Sequence, residues 1–246
     1  MSIAGGMRFR ADGRTPGQMR PVSIELDVQK WAAASLIFRQ GDTHVLCSAT
    51  LEDRIPPHLR GKGSGWVTAE YAMLPAATSE RMQRESVRGK LGGRTYEIQR
   101  LIGRSLRGVV DTSLMGERTV TVDCDVLQAD GGTRCASITG GFIALSLALR
   151  KAGLERAIVS KVAAISVGVV AATPLLDLEY SEDSSAEVDF NVVGTDAATY
   201  IELQGTAEGK PFDRKQMDDL LALADSGLGK LFAIQDEVLR PSPADI

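Results

Sequence analysis

Strict alternation of apolar and polar residues constrains this chain more than any other feature. Val22, Ile24, Leu26 and Val28 stand at every second position, and so do Val120, Val122, Cys124 and Val126. In an extended chain successive side chains face opposite ways, so each run buries one face and wets the other. Ala34 to Arg39 and His44 to Leu51 read as two more strands, joined by a tight turn at Gln40-Gly41-Asp42. Trp66 to Met73, Ala157 to Val170, Leu175 to Tyr180, Glu187 to Val193 and Tyr200 to Gln204 complete the strand-like set.

Helical periodicity breaks the pattern at three places. Ile98, Leu101, Ile102, Ser105, Leu106 and Val109 follow the spacing of one buried helix face. A helix of small residues runs from the Gly131-Gly132 loop to about Arg150. Asp213, with Gln216 three residues on, has the capping-box form and opens a last helix, with an interruption expected near Gly227. Strand groups separated by a few long helices predict an α+β protein, a mixed sheet with packed helices. One domain is expected over residues 1–246, with its core at about 14–238 and short irregular ends; the first twenty residues read as polar and irregular.

Composition excludes several classes. No apolar run is long enough for a membrane span, and no hydrophobic segment follows the N-terminal arginines as a secretory signal requires. Three cysteines, Cys47, Cys124 and Cys135, form no CxxC pair; they fit a reducing cytoplasm and small apolar packing roles. Histidine-centred catalysis has only His44 and His58 to draw on. The net charge of −4 conceals an asymmetry: Arg54 to Arg107 holds eleven Lys/Arg against four Asp/Glu, while Leu175 to Ile246 holds five against sixteen. The first segment suits a polyanion. The second suits a divalent cation or, taken alone, a solvated surface.

Three short stretches carry candidate chemistry. Gly131-Gly132-Thr133-Arg134 lies between a strand and a helix, where free backbone N–H groups, a hydroxyl and a guanidinium favour an anion. Taken alone, it reads more readily as an ordinary strand-to-helix turn. Arg94 follows Gly92-Gly93 in the first turn of a helix, against the dipole, so it is either a ligand-binding group or a solvated arginine. Asp183 and Asp189 fall in an acidic run, with Asp189 in a strand-like stretch where aspartate is disfavoured. Two converging carboxylates suit Mg²⁺. Two anion sites and one metal site together suit phosphoryl or nucleotidyl transfer.

Four longer strings are specific. WVTAEYAMLP from Trp66 to Pro75, GGRTYEIQRLI from Gly92 to Ile102, VDCDVLQADGGTR from Val122 to Arg134 and QGTAEG from Gln204 to Gly209 closely resemble the ribonuclease PH family, in that family's order. The resemblance covers Arg14 to about Val238. It implies a ribosomal protein S5 domain 2-like fold and a homo-oligomeric ring, a hexamer built as a trimer of dimers. It implies a phosphorolytic 3′-to-5′ exoribonuclease that trims tRNA precursors and other RNA. Inorganic phosphate is then a co-substrate, nucleoside 5′-diphosphates are released, and the reverse reaction adds nucleotides. On that resemblance Arg94, Gly132, Thr133 and Arg134 bind phosphate, and Asp183 and Asp189 hold Mg²⁺ and protonate the leaving 3′ oxygen. Arg81, Arg84 and Arg88 contact RNA; spaced three and four apart, they would share one face if their stretch is helical. Ala76-Ala77-Thr78 departs from the pattern, since many relatives carry an arginine directly after the proline. The rival readings are the active subunit of an archaeal exosome-like ring, polynucleotide phosphorylase, and a non-catalytic ring subunit. Arg94, Arg134, Asp183 and Asp189 count against the last.

Overall fold

The computed structural model describes residues 10–240; the ends at 1–9 and 241–246, expected to be irregular, lie outside the described residues. Among the described residues nine strands form two sheets. The first contains β1 (Val22–Leu26), β2 (Ala34–Gln40), β3 (Thr43–Glu52), β4 (Trp66–Met73) and β5 (Thr119–Gln128) in the order β1-β2-β3-β5-β4. It is mixed: β5 runs antiparallel to β3 and parallel to β4. The second is antiparallel and contains β6 (Val162–Val170), β7 (Thr173–Leu176), β8 (Val188–Thr195) and β9 (Tyr200–Ala207) in the order β7-β6-β8-β9.

Of the two strictly alternating runs, β5 buries one face, whereas β1 lies at the sheet edge with Leu26 exposed and Val28 beyond its end. Leu36, Phe38, Val45, Cys47, Val120, Val122, Cys124 and Val126 are all buried. Over them pack α2 (Gly93–Arg107) and α3 (Thr133–Lys151). Helix α2 is amphipathic as expected, burying Ile98, Leu101, Ile102 and Leu106. Helix α3 is buried nearly all round, because it touches β2, β3 and β5 of the first sheet and β6 of the second. Its small residues allow that approach: a Cβ on Gly140 would lie 2.9 Å from both Cys47 Sγ and Phe38 Cβ. One continuous hydrophobic core includes residues of both sheets.

Several boundaries differ from the sequence expectation. Helix α5 (Arg214–Val238) has the predicted capping box at Asp213 and Gln216 but runs unbroken through Gly227. That glycine serves packing: a Cβ there would lie 2.9 Å from Leu176 Cδ1. Strand β6 begins at Val162 rather than Ala157, which ends a 3-10 turn. Strand β7 stops at Leu176, and Tyr180 opens a short helix, α4 (Tyr180–Asp183), capped reciprocally by Glu179 and Glu182. Asp183 therefore ends a helical turn. Arg81, Arg84 and Arg88 do not lie on one helix, since Glu85–Arg88 is a single helical turn (α1) and residues 81–84 are irregular.

Among the described residues no strand precedes β1, yet the arginines there are not solvated. Arg10, Arg14 and Arg20 are all buried. Arg20 grips Asp177 with two nitrogens, at 2.6 and 3.1 Å, and donates its backbone N–H to the same carboxylate at 2.7 Å. Arg10 Nε donates to Glu182 Oε1 at 2.6 Å, and its Nη1 donates to the Leu176 carbonyl at 2.6 Å. Ions this far from water persist only when paired and hydrogen-bonded. Glu182, in an acidic run readable as solvated surface, is thus a buried anchor for α4.

Candidate active site

A cleft of about 770 Å³ opens where β5 passes into α3, and all three chemistry-bearing stretches line it. Gly131, Gly132, Thr133 and Arg134 come from the β5–α3 turn, Arg94 from the first turn of α2, Asp183 from α4 and Asp189 from β8. Segments up to about a hundred residues apart in sequence thus meet at one place.

The glycine turn has a backbone reason. Gly131 and Gly132 both take positive φ, +72° and +66°, a region costly for other residues. A Cβ on Gly131 would strike the Leu178 carbonyl at 2.5 Å. The turn is held by Thr43, whose hydroxyl donates to the Gly131 carbonyl at 2.7 Å and accepts from the Asp130 N–H at 3.0 Å. Helix α3 has no side-chain N-cap, and its first ladder bond runs from the Ala136 N–H to the Gly132 carbonyl. The N–H groups of Thr133, Arg134 and Cys135 precede that bond, so the helix presents its positive end to the cleft. The Thr133 hydroxyl pairs with the Tyr71 hydroxyl at 2.9 Å.

Arg134 is held from behind. Its Nη1 donates to Gln204 Oε1 at 2.5 Å and lies 3.7 Å from Glu97 Oε1. At α2, Glu85 accepts from the Gly92 N–H at 3.1 Å and from the Thr95 hydroxyl at 2.9 Å. That caps the helix whose first turn carries Arg94.

The carboxylates have shifted proton affinities. Burial pushes Asp189 up to about 6; the nearby Asp183 carboxylate adds to this, while Arg134 and Arg94 oppose it. Burial likewise raises Asp183, against the pull of Arg94, Arg134 and Arg20. Asn191, also on the cleft wall, donates to Asp189 Oδ1 at 3.5 Å and accepts from the Cys135 thiol at 3.2 Å. Burial pushes that thiol up to about 12, so it stays a protonated donor. Among the described residues no group of three or more His, Cys, Asp or Glu could hold a metal by itself. A pair of half-buried carboxylates beside an anion site does fit Mg²⁺, which takes one or two protein carboxylates and fills its shell with water and phosphate oxygens.

Of the three arginines assigned to RNA, Arg81 lines the cleft. Arg84 is exposed at the N-cap of α1. Sequence reasoning did not identify Tyr71, Asn191, Tyr180, Gln204 or Asn191's partner Cys135 as site residues. Tyr71 and Gln204 lie inside the quoted strings, so a signal was present without a role.

Residues 18–155 match the profile of the 3′ exoribonuclease family, domain 1, and residues 161–227 match that of its domain 2. A relative named Ribonuclease PH from Roseobacter denitrificans is 58% identical over 232 residues, covering 92% of this chain and 98% of that one. One of the same name from Syntrophomonas wolfei is 57% identical over 235 residues, covering 94% and 98%. The chain belongs to the ribonuclease PH members of the 3′ exoribonuclease family. The fold is also similar to that of rice Rrp46, with a TM-score of 0.77, 19% identity and coverage of 94% of this chain and 100% of that one. An Archaeoglobus fulgidus exosome with RNA bound to the active site gives 0.77 at 20% identity, covering 92% of each chain. No helix among the described residues is long and apolar enough to cross a membrane.

Proposed function

We propose that this protein is a phosphate-dependent 3′-to-5′ exoribonuclease, a tRNA nucleotidyltransferase that trims tRNA precursors and other RNA from the 3′ end. High identity to proteins named Ribonuclease PH supports it. The single observation that carries the chemistry is the convergence of an anion-binding helix terminus, two arginines and two carboxylates on one cleft.

The nucleophile, inorganic phosphate, is already an anion and needs no histidine base. The difficulty is to bring it against an anionic phosphodiester. Arg94, Arg134, the Thr133 hydroxyl and the N–H groups at the start of α3 offset that repulsion and hold phosphate in line. A phosphate oxygen bonds to the terminal phosphorus, the P–O3′ bond breaks, and a nucleoside 5′-diphosphate leaves. The departing 3′ oxygen needs a proton; Asp189 would supply it from its carboxyl oxygen, a role its raised proton affinity supports. Asp183 and Asp189 would hold Mg²⁺, which supplies positive charge against the phosphates. The entire chain works as one catalytic unit, assembled by family resemblance into a homo-hexamer, a trimer of dimers, in the cytoplasm. Digestion of a 3′-extended tRNA should release nucleoside diphosphates only when phosphate is supplied. Equal release of monophosphates without phosphate would indicate hydrolysis and sink the reading.

A further inference from the structure

Gln204 lies in a string whose function the site chemistry leaves unassigned. Strand β9 pairs with β8 in a register that sets Gln204 opposite Asn191 and Thr206 opposite Asp189. Cross-strand partners share a face, so Gln204 stands on the side of the sheet that carries the cleft carboxylate. Gly205, opposite Phe190, makes room for the ring on the other face: a Cβ there would lie 2.1 Å from two ring carbons. The glycine thus leaves the strand free to pass close beside Phe190 with Gln204 turned towards α3.

Gln204 joins three elements. Its Oε1 accepts from Arg134 Nη1 of α3 at 2.5 Å, and its Nε2 donates to Glu97 Oε1 of α2 at 2.8 Å. The second bond fixes the amide, because a flip would point its NH₂ at the guanidinium and its oxygen at the carboxylate. Glu97 stands three residues after Arg94, on the same face of α2. Gln204 and Glu97 do not line the cleft, whereas Arg134 does. Among the described residues, the bonds to Arg134 engage only Nη1, leaving Nη2 and Nε for an anion. Arg134 needs such a hold, since its charge sits in the first turn of α3, where the helix dipole repels it.

We infer that Gln204, backed by Glu97, is a positioning residue that aims Arg134 at the phosphate nucleophile. This rests on the reading of Arg134 as a phosphate ligand, and the test separates the two. Gln204→Ala should raise the apparent KM for inorganic phosphate by about 10- to 100-fold, the scale of one lost hydrogen bond to a charged group. At saturating phosphate, kcat and the KM for a short oligonucleotide should stay within about threefold. Added to Arg134→Ala, the same change should do nothing more, because Gln204 acts through that arginine. Gln204→Glu sets two carboxylates against each other and should fail; combined with Glu97→Gln it restores one donor and one acceptor and should recover phosphate affinity. The rise in Tm caused by inorganic phosphate should follow the same order without any turnover. Full additivity with Arg134→Ala, equal losses for phosphate and RNA, or failure of the exchanged pair to recover would overturn the clamp. An Arg134→Ala variant with unchanged phosphate KM would instead remove the phosphate reading, and the clamp with it.

Discussion

Asp189 shows how a single position combines a structural cost with a chemical use. Its carboxyl is raised to about 6 from 3.8, so the native state holds the proton more tightly than the unfolded chain. Stability therefore falls as pH rises from about 4 to about 6, and the full penalty stands above that window. The penalty is on the order of 3 kcal/mol. Asp189→Asn removes the charge while keeping the shape. In the presence of a chelator the variant should be more stable than the parent at pH 7.5, by roughly 1–3 kcal/mol, and no more stable at pH 4. Urea melts at the two pH values measure this; a gain of equal size at both would show that ionisation is not its source. The same substitution should lower turnover by about 10²–10⁴-fold. Retention of most activity with normal circular dichroism would make Asp189 peripheral.

At the scale of elements, the arginine segment is the clearest departure from the sequence reading. Spacings of three and four suggested one helical face, but Arg81 and Arg84 precede the single turn of α1. Arg81 faces the cleft, and Arg84 stands exposed outside it. Their effects should accordingly separate. Arg81→Ala should weaken phosphorolysis of a short oligonucleotide and of tRNA alike, whereas Arg84→Ala should weaken only tRNA and reduce its salt dependence by about one phosphate contact. Side-by-side kinetics at several salt concentrations check this, and indistinguishable profiles for the two variants would refute it. Strand β9 gives a second prediction. Gly205→Ala forces a methyl into the Phe190 ring and should destabilise by about 1–3 kcal/mol, seen as a lower urea midpoint; an unchanged midpoint would show that the ring moves freely.

These elements also show what local sequence can reveal. Alternation located β1 and β5, of which β5 buries one face only, and the 3.6-residue period located α2 for the same reason. Helix α3 has no such period, being buried on nearly every side, and was legible only through its small residues and the glycines before it. Arg94 and Asp189 were visible as residue types out of place, Arg134 through the glycine turn before it and Asp183 through the acidic run that holds it. The buried pairs of Arg20 with Asp177 and Arg10 with Glu182 were not, since the partners stand 157 and 172 residues apart and no local pattern links them. Gln204 escaped for a similar reason: its partners lie on two other elements.

For the whole molecule, the two sheets and the helix between them exist to bring the β5–α3 turn, α2, α4 and β8 to one cleft. Phosphate, rather than water, is the reacting partner that such a cleft accommodates. Digestion of a 3′-extended tRNA in inorganic phosphate fully labelled with ¹⁸O, followed by mass spectrometry of the products, tests this claim most directly. The account predicts nucleoside diphosphates that carry the four labelled oxygens of one phosphate. Unlabelled nucleoside monophosphates as the main product, with oxygen drawn from the solvent, would contradict it.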